Sequence, residues 1–418
     1  MPVIEKPGAT GARQSARPRN GGRALGADAA GSMLVSPDVR LANLSRIVRE
    51  MRRAGPLARA DVARRAGVSL PTAHRLVSDL ADLGLVEEQA AEPAGTGADR
   101  ARPGRPPVVY SFRDDAALLA GVDAGNESTR LALTTLSGRV LGSAVLPSDR
   151  LGRQISATLA AKISQMLGAA GLAADRLAGV GVGIAACVDA DGVLRDPPVH
   201  RAWDGLALRE SLSASLGCGV VIAQDDHLSP IAESSDRGTF PGASSLLVLE
   251  IGRGIGVGMT LDGAPVSGAR GRFGRIAGWP VTEPVTGQVR ALGECLVSRG
   301  LAGQYHVRGG TGDVRDGGSL AAAARQGDQQ AQAVIRWAAA EIADIVTRLQ
   351  QLCDPQAIVI GGGLARAYDL FEPIMARRLG PGVLAAPSVL QERAVVVGAE
   401  IVAGSFVDSW LSTRLARA

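Results

Sequence analysis

Leu119-Ala120-Gly121-Val122-Asp123-Ala124-Gly125 is an apolar strand that ends in an acid and a tight glycine turn. The same pattern returns at Leu246-Leu247-Val248-Leu249-Glu250-Ile251-Gly252-Arg253-Gly254-Ile255-Gly256. Asp123 aligns with Glu250 and Gly125 with Gly252; turn signals follow each copy, Ser137-Gly138 and then Leu261-Asp262-Gly263. Such a repeat predicts two lobes of similar build, each a mixed sheet flanked by helices. Strands are expected over 129–134 and 139–145, and helices over 154–169, 208–216, 329–353 and 399–410. A strand at 357–360 runs into Gly361-Gly362-Gly363 and a helix. Glycine turns facing a cleft can cradle phosphate on bare backbone amides. Most glycine turns mark hairpins and helix ends, so the turns alone leave both readings open.

Upstream, the text changes to three short amphipathic runs. Leu41, Leu44, Ile47, Val48 and Met51 form one stripe of a helix over 39–54, with Arg46, Arg49, Arg52 and Arg53 mostly off it. A second helix covers 59–66, with Val62, Ala63 and Ala66 inward. Then comes Gly67-Val68-Ser69-Leu70-Pro71-Thr72-Ala73-His74-Arg75-Leu76-Val77. Gly67 can end the second helix in a left-handed conformation, Ser69 caps the third, and Pro71 falls in its first turn. Ala73, Leu76, Val77 and Leu80 face inward, which leaves Thr72, His74 and Arg75 near the exposed N-terminal end, where a recognition helix reads bases. Residues 83–88 read as a turn into a strand, and 108–112 as the return strand of a wing. In the loop between them, Pro103-Gly104-Arg105-Pro106-Pro107 is extended and basic, and Arg105 is a candidate for the minor groove. The candidate DNA contacts are therefore Ser69, Pro71, Thr72, His74, Arg75 and Arg105. The alternative is a small helical domain used for protein contact. Charge favours DNA: residues 1–112 hold 17 Lys and Arg against 11 Asp and Glu, while the remainder of the chain is slightly acidic.

Composition bounds the rest. The 418 residues suffice for two or three domains, and 46 % hydrophobic content permits a real core, although aromatics make up only 3 %. Cys187, Cys218, Cys295 and Cys353 are scattered without Cys-x-x-Cys spacing, which suits reduced thiols in the cytoplasm. No long uninterrupted apolar run and no secretory signal is read, so no membrane span is expected. Residues 1–33 are a basic tail too poor in large apolar residues to order itself. The expected organisation is this tail, a winged helix–turn–helix at 34–112, and a two-lobed domain at 113–418.

The order of helix–turn–helix, Gly104-Arg105-Pro106-Pro107 and a duplicated lobe resembles the ROK family (repressors, open reading frames and kinases). The matching stretches include Gly121-Val122-Asp123-Ala124-Gly125, Gly181-Val182-Gly183-Ile184, Trp203-Asp204-Gly205, Gly252-Arg253-Gly254-Ile255-Gly256 and Val359-Ile360-Gly361-Gly362-Gly363. The resemblance implies an α/β fold of actin-like, ribonuclease-H-like type. It also implies either a sugar kinase or a sugar-responsive repressor that carries a DNA-binding domain.

Departures from the family pattern separate those branches. The kinases' first turn reads Asp-x-Gly-Gly-Thr, but here Asn126 and Glu127 follow Gly125, and a carboxylate there repels phosphate. Arg253 replaces the usual Thr of the second turn. In Val221-Ile222-Ala223-Gln224-Asp225-Asp226-His227, Asp225 matches the family's catalytic base, but Gln224 replaces an Asn; Asp225 or Asp226 could equally cap the next helix. The sugar- and zinc-binding Gly-Glu-x-Gly-His has become Gly271-Arg272-Phe273-Gly274-Arg275, and Gln288, Arg290, Cys295 and Val297 stand at the other zinc-ligand positions. One soft ligand cannot close a tetrahedral zinc site, so no metal and no cofactor is expected. Asp225, Arg253, Arg272 and Arg275 are candidate effector contacts: the arginines either hold an anionic sugar or pair internally, for example with Glu127 or Asp225. The expectation is a DNA-binding repressor without enzyme activity, a homodimer or dimer of dimers on a pseudo-palindromic operator, sensing a carbohydrate or anionic sugar. A kinase with an appended DNA-binding domain, and a ligand-blind dimer controlled by a partner protein, are the rivals.

Overall fold

A computed structural model describes residues 37–90, 108–379 and 384–417. The tail at 1–33 and Arg105 with its basic loop lie outside the described residues.

The described residues begin with α1 (Pro37–Ala54), β1 (Leu57–Ala58), α2 (Arg59–Ala66), α3 (Leu70–Asp82), β2 (Val86–Ala90) and β3 (Val108–Phe112). Gly67 closes α2 in the left-handed region (φ 65°), its N–H bonded to Ala63 O. The Ser69 hydroxyl accepts from Thr72 N at 3.3 Å and so caps α3. The stripe Leu44, Ile47, Val48 and Met51 is buried against Val62, Ala66, Ala73, Leu76, Val77 and Leu80. The wing is an antiparallel sheet in the order β1-β3-β2. Strand β2 begins at Val86, after Leu83 and Gly84 (φ 68°) make the turn out of α3 expected there.

The first lobe holds β4 (Leu118–Ala124), β5 (Ser128–Thr135), β6 (Val140–Pro147), α4 (Ile155–Ala169), β7 (Leu177–Ile184), the short pair β8 (Cys187–Val188) and β9 (Leu194–Arg195), α5 (Leu208–Leu216), β10 (Gly219–Gln224) and α6 (Asp225–Glu233). The second holds β11 (Leu246–Ile251), β12 (Ile255–Leu261), β13 (Ala264–Pro265), the hairpin β14 (Pro280–Thr282) and β15 (Val289–Ala291), α7 (Leu292–Cys295), α8 (Ser298–Val307), α9 (Gly317–Arg325), α10 (Gln329–Cys353), β16 (Ala357–Gly361), α11 (Tyr368–Arg378) and β17 (Ala385–Pro387). The chain then closes with α12 (Ala394–Ala403) and α13 (Val407–Arg417).

The two large sheets share one topology. Their orders are β10-β7-β4-β5-β6 and β17-β16-β11-β12-β13. In each, the strand carrying the aligned acid is central, with an antiparallel neighbour on one side and a parallel one on the other. Asp123 pairs in register with Gly183 of β7, and Glu250 with Gly361 of β16. The repeat read from the sequence is thus a repeat of strand order.

Helices α12 and α6 are held between these sheets by glycine. A Cβ on Gly181 of β7 would collide with Ala399 O, one on Gly121 of β4 with Val396 O, and one on Gly179 would stand 2.7 Å from Ala403 O. The α12 backbone therefore rests directly on the first sheet. Gly258 of β12 gives α6 the same approach through Asp226 O, and Gly398 of α12 lets the two helices meet at Leu228 O.

The end of the chain crosses back to its beginning. A helical run from Gln391 to Ala416 is long and apolar enough to span a membrane, but half of it is buried inside the fold. Leu411 and Leu415 of α13 belong to the same apolar core as α1 to α3. Trp410 Nε1 donates to Asp175 O at 2.8 Å, and Arg414 pairs with Asp175 at 3.0 Å. The helix expected at 399–410 is thus two helices that bend at residues 404–406 and continue to Arg417.

Replacing Gly181 by Ala should cost about 1–3 kcal/mol through overpacking. Gly168→Ala, in α4 with nothing within 4 Å of the new methyl, should be neutral or stabilise by up to about 1 kcal/mol. Urea denaturation of both variants checks this: equal midpoints would mean that α12 does not sit on the sheet as described.

Candidate functional site

Two regions gather the chemistry. The first is the N-terminal end of α3. Ser69, Pro71, His74 and Arg75 are exposed there and Thr72 is half-buried. The Ser69 and Thr72 hydroxyls bond to each other at 2.7 Å, so they shape the turn. Among the described residues, neither the His74 nor the Arg75 side chain has a hydrogen bond or ion pair.

The neighbouring arginines are occupied differently. Arg46 donates to Ala66 O at 3.0 Å and satisfies a carbonyl at the end of α2. Arg40 pairs with Asp79 at 3.0 Å, and Arg59 lies 4.8 Å from the Tyr110 ring centroid. These three hold the small domain together, which leaves Arg75 as the forked donor presented outward from α3.

The second region is the cleft between the lobes, a cavity of about 850 Å³ reached by both glycine turns. Register brings Asp123 at the end of β4 and Glu250 at the end of β11 to its floor, and α6 adds Asp225 and Asp226. Burial raises the pKa of all four carboxyl groups, Asp123 to about 8 and Glu250 to about 7. For Asp123 the Asp225 charge adds to the shift, and for Asp226 the Asp225 and Glu250 charges do so. Gln224 is only 5 % exposed; its Nε2 donates to Asp226 Oδ2 at 3.2 Å and its Oε1 has no partner. Asp225 Oδ1 accepts from Asp226 N at 3.0 Å, so it also bonds locally at the start of α6.

Of the residues singled out from the sequence, Asp225, Arg253 and Arg275 line the cleft and Arg272 does not. Arg253 pairs with Glu127 at 2.9 Å, and Arg299 reaches the same carboxylate at 3.6 Å. Arg272 pairs with Asp196 at the exposed surface. Arg275 Nη1 donates to Cys187 Sγ at 2.8 Å and to Asp196 O at 3.4 Å. At the old zinc positions, Arg290 pairs with Glu294 and Glu283 at 3.0 and 3.6 Å, and Cys295 is fully buried in the second lobe's core.

Sequence reasoning missed Arg130, Arg366 and Glu392. Glu392, just before α12, accepts from Arg130 Nη2 of β5 at 2.8 Å and also pairs with Arg366, which follows β16. One carboxylate at the cleft therefore ties the first lobe to the second, at the start of the helices that end in the α1–α3 core. No local pattern flags this, because Arg130 and Glu392 lie 262 residues apart.

The ROK family profile matches residues 119–397, and the profile of the IclR helix-turn-helix domain matches residues 47–90. A transcriptional regulator of Mycobacterium tuberculosis is 27 % identical over 81 % of this chain and 78 % of its own length. A glucokinase of Halalkalibacterium halodurans is 24 % identical over 61 % of this chain and 83 % of its own. A crystal structure of a ROK family transcriptional regulator, a homologue of the Escherichia coli MLC protein, superposes with a TM-score of 0.71. It covers 91 % of this chain and all of its own at 20 % identity, which shows the shared fold. The family match spans both duplicated sheets and the cleft between them, and the helix–turn–helix precedes it: the chain belongs to the ROK family and has the architecture of its DNA-binding regulators.

Proposed function

We propose that this protein is a transcriptional repressor that binds a pseudo-palindromic operator as a homodimer, with α3 in the major groove and the cleft as the seat of a carbohydrate-related effector. The observation that carries the reading is the end of α3. His74 and Arg75 stand exposed without partners among the described residues, on a helix braced by arginines already committed to the fold. Two such helices on a dimer would meet half-sites one or two helical turns apart. Relatives named as transcriptional regulators support this reading.

The cleft favours binding without phosphoryl transfer. Glu127 follows the first glycine turn, and Arg253 of the second turn is bound to it. A nucleotide's phosphates would have to displace that ion pair. Phosphoryl transfer needs several groups placed together, and Asn126, Gln224, Arg272 and Arg275 all depart from the kinase pattern.

Regulation would run along α12 and α13. An effector that changes how Glu392 ties the lobes would shift α12, and α13 would carry the shift into the core beneath α1.

Arg75→Ala should weaken operator binding by about 1–3 kcal/mol if Arg75 reads a guanine. Fluorescence anisotropy on a fragment selected from genomic DNA measures it, and unchanged affinity would move the readout elsewhere. A coupled assay with ATP and common hexoses should show no ADP release above a protein-free control; turnover that tracks protein concentration would reinstate the kinase reading. The raised carboxyl pKa values also set the pH dependence of stability. The folded cleft holds protons that the unfolded chain releases above its ordinary carboxyl pKa of about 4. Stability should therefore fall as pH rises from about 4 towards 8. Melting curves of Asp123→Asn beside the parent check this: the variant should show the smaller decline.

A further inference from the structure

We propose that the cleft recognises its ligand through a positively charged amine, so that the effector is an amino sugar in its ammonium form, seated between Asp225, Asp226 and Glu250. The proposal deepens the effector-binding reading above and rests on it.

The charges around the cavity divide unevenly. Arg253 is bound to Glu127, Arg366 to Glu392, and Arg130 to Glu392 at 2.8 Å and Asp123 at 3.7 Å. Arg275 is turned to Cys187 and Asp196 O. Among the described residues, Asp225, Asp226 and Glu250 make no ion pair within 4.0 Å. Of the cavity-floor groups without an ion pair among the described residues, three are carboxyl groups and one, Arg275, is a cation held by Cys187 and Asp196 O, so acids outnumber bases on the floor that a ligand would meet.

The backbone makes deliberate room for these acids. Gly256 and Gly361 flank Glu250 in register on the two adjoining strands. A Cβ at Gly256 would collide with Asp226 Oδ2, and one at Gly361 would stand 2.5 Å from Glu250 Oε2. Any larger residue at either position would push a carboxylate away.

A second, independent observation points to a donor-rich ligand. Gln224, 5 % exposed and lining the cavity, spends its amide N–H on Asp226 and leaves its carbonyl oxygen unpartnered. A buried acceptor left in this state carries a desolvation penalty that a donor from the ligand would remove. An ammonium group has three donors and no acceptor, which matches a floor of carboxylates and one orphan carbonyl. A neutral hydroxyl cannot replace the cluster's protons with a positive charge, as an ammonium ion can.

Burial keeps protons on this cluster when it is empty, Glu250 at about 7 and Asp123 at about 8. The cationic groups acting on it are Arg130 from β5, Arg253 from the second glycine turn and Arg275; Arg325, paired with Asp369, and Arg366 also line the cavity. An ammonium ion would take the protons' place, so binding should release protons and tighten as pH rises to about 7, below the range of about 7.7–8 in which such an amine loses its own proton.

Calorimetry on the full chain tests the proposal with glucosamine, galactosamine and mannosamine, each beside its parent hexose and its N-acetyl derivative. Glucose 6-phosphate and magnesium chloride are titrated separately. At least one hexosamine should bind about tenfold or more tighter than both of its uncharged counterparts. Its heat should differ between buffers of unlike ionisation enthalpy by the amount proton release requires. Asp226→Asn and Glu250→Gln should each abolish that preference, with circular dichroism melts confirming the fold; either variant suffices if the other does not fold. Hexoses or N-acetyl derivatives binding as well as the amines would overturn the amine assignment and leave effector binding standing. Glucose 6-phosphate binding in place of the amines would do the same in favour of the arginines. Magnesium saturating the protein with no hexosamine bound would assign the carboxylates to a metal and also overturn it. Silence with every sugar would overturn both the assignment and the effector reading.

Discussion

The backbone of α12 lies on β4 and β7 with no layer of side chains between them, and most of the molecule's useful geometry follows from that contact. Gly121, Gly179 and Gly181 are the flat surface that permits it. Such an interface forgoes the burial of large apolar side chains and substitutes close atomic packing. In exchange it draws α12 and α6 into the space between the sheets. There α6 presents Asp225 and Asp226 opposite Glu250, while α12 starts at the cleft and continues as α13 to the far side of the molecule. Side chains in place of those glycines would separate the lobes and dissolve the cleft.

The cleft is then a problem in charge. Strand register fixes an acid at each turn, the first residues of α6 supply two more, and burial prevents all four from ionising freely. Arginines surround them, but most are engaged with acids at the rim. Glu127 draws in Arg253 and Arg299; Glu392 draws in Arg130 and Arg366. The rim is thus cross-linked, whereas among the four floor acids Asp123 alone has an ion pair in the described residues, with Arg130 at 3.7 Å.

Much of this was legible in residue order. Apolar runs and the repeated strand–acid–glycine unit predicted both sheets, because each copy is a local signal of the kind buried strands leave. The stripes of α1 and α3, Gly67 and Ser69 likewise announced the small domain, and the internal pairing of Arg253 with Glu127 was one of two readings kept open. What was not legible depends on distant partners. Nothing near Arg46 says that it will satisfy Ala66 O, and nothing near Arg272 says that it will turn to Asp196 at the surface. The glycines of β7 read as family signature, but their work is to admit a helix more than two hundred residues further along. Leu411 and Leu415 fell beyond the helix expected at 399–410, because the residues they pack against are the first described ones of the fold rather than their neighbours in sequence.

That shared core has a consequence for the order of synthesis. The small domain is translated before the two lobes, yet its apolar interior stays open until Leu411 and Leu415 emerge behind them. Domains usually fold as they leave the ribosome, N-terminal first. Here a domain made before the lobes is completed only after them, and a nascent chain carries an unfilled apolar seam beside α1 until the lobes behind it are essentially whole.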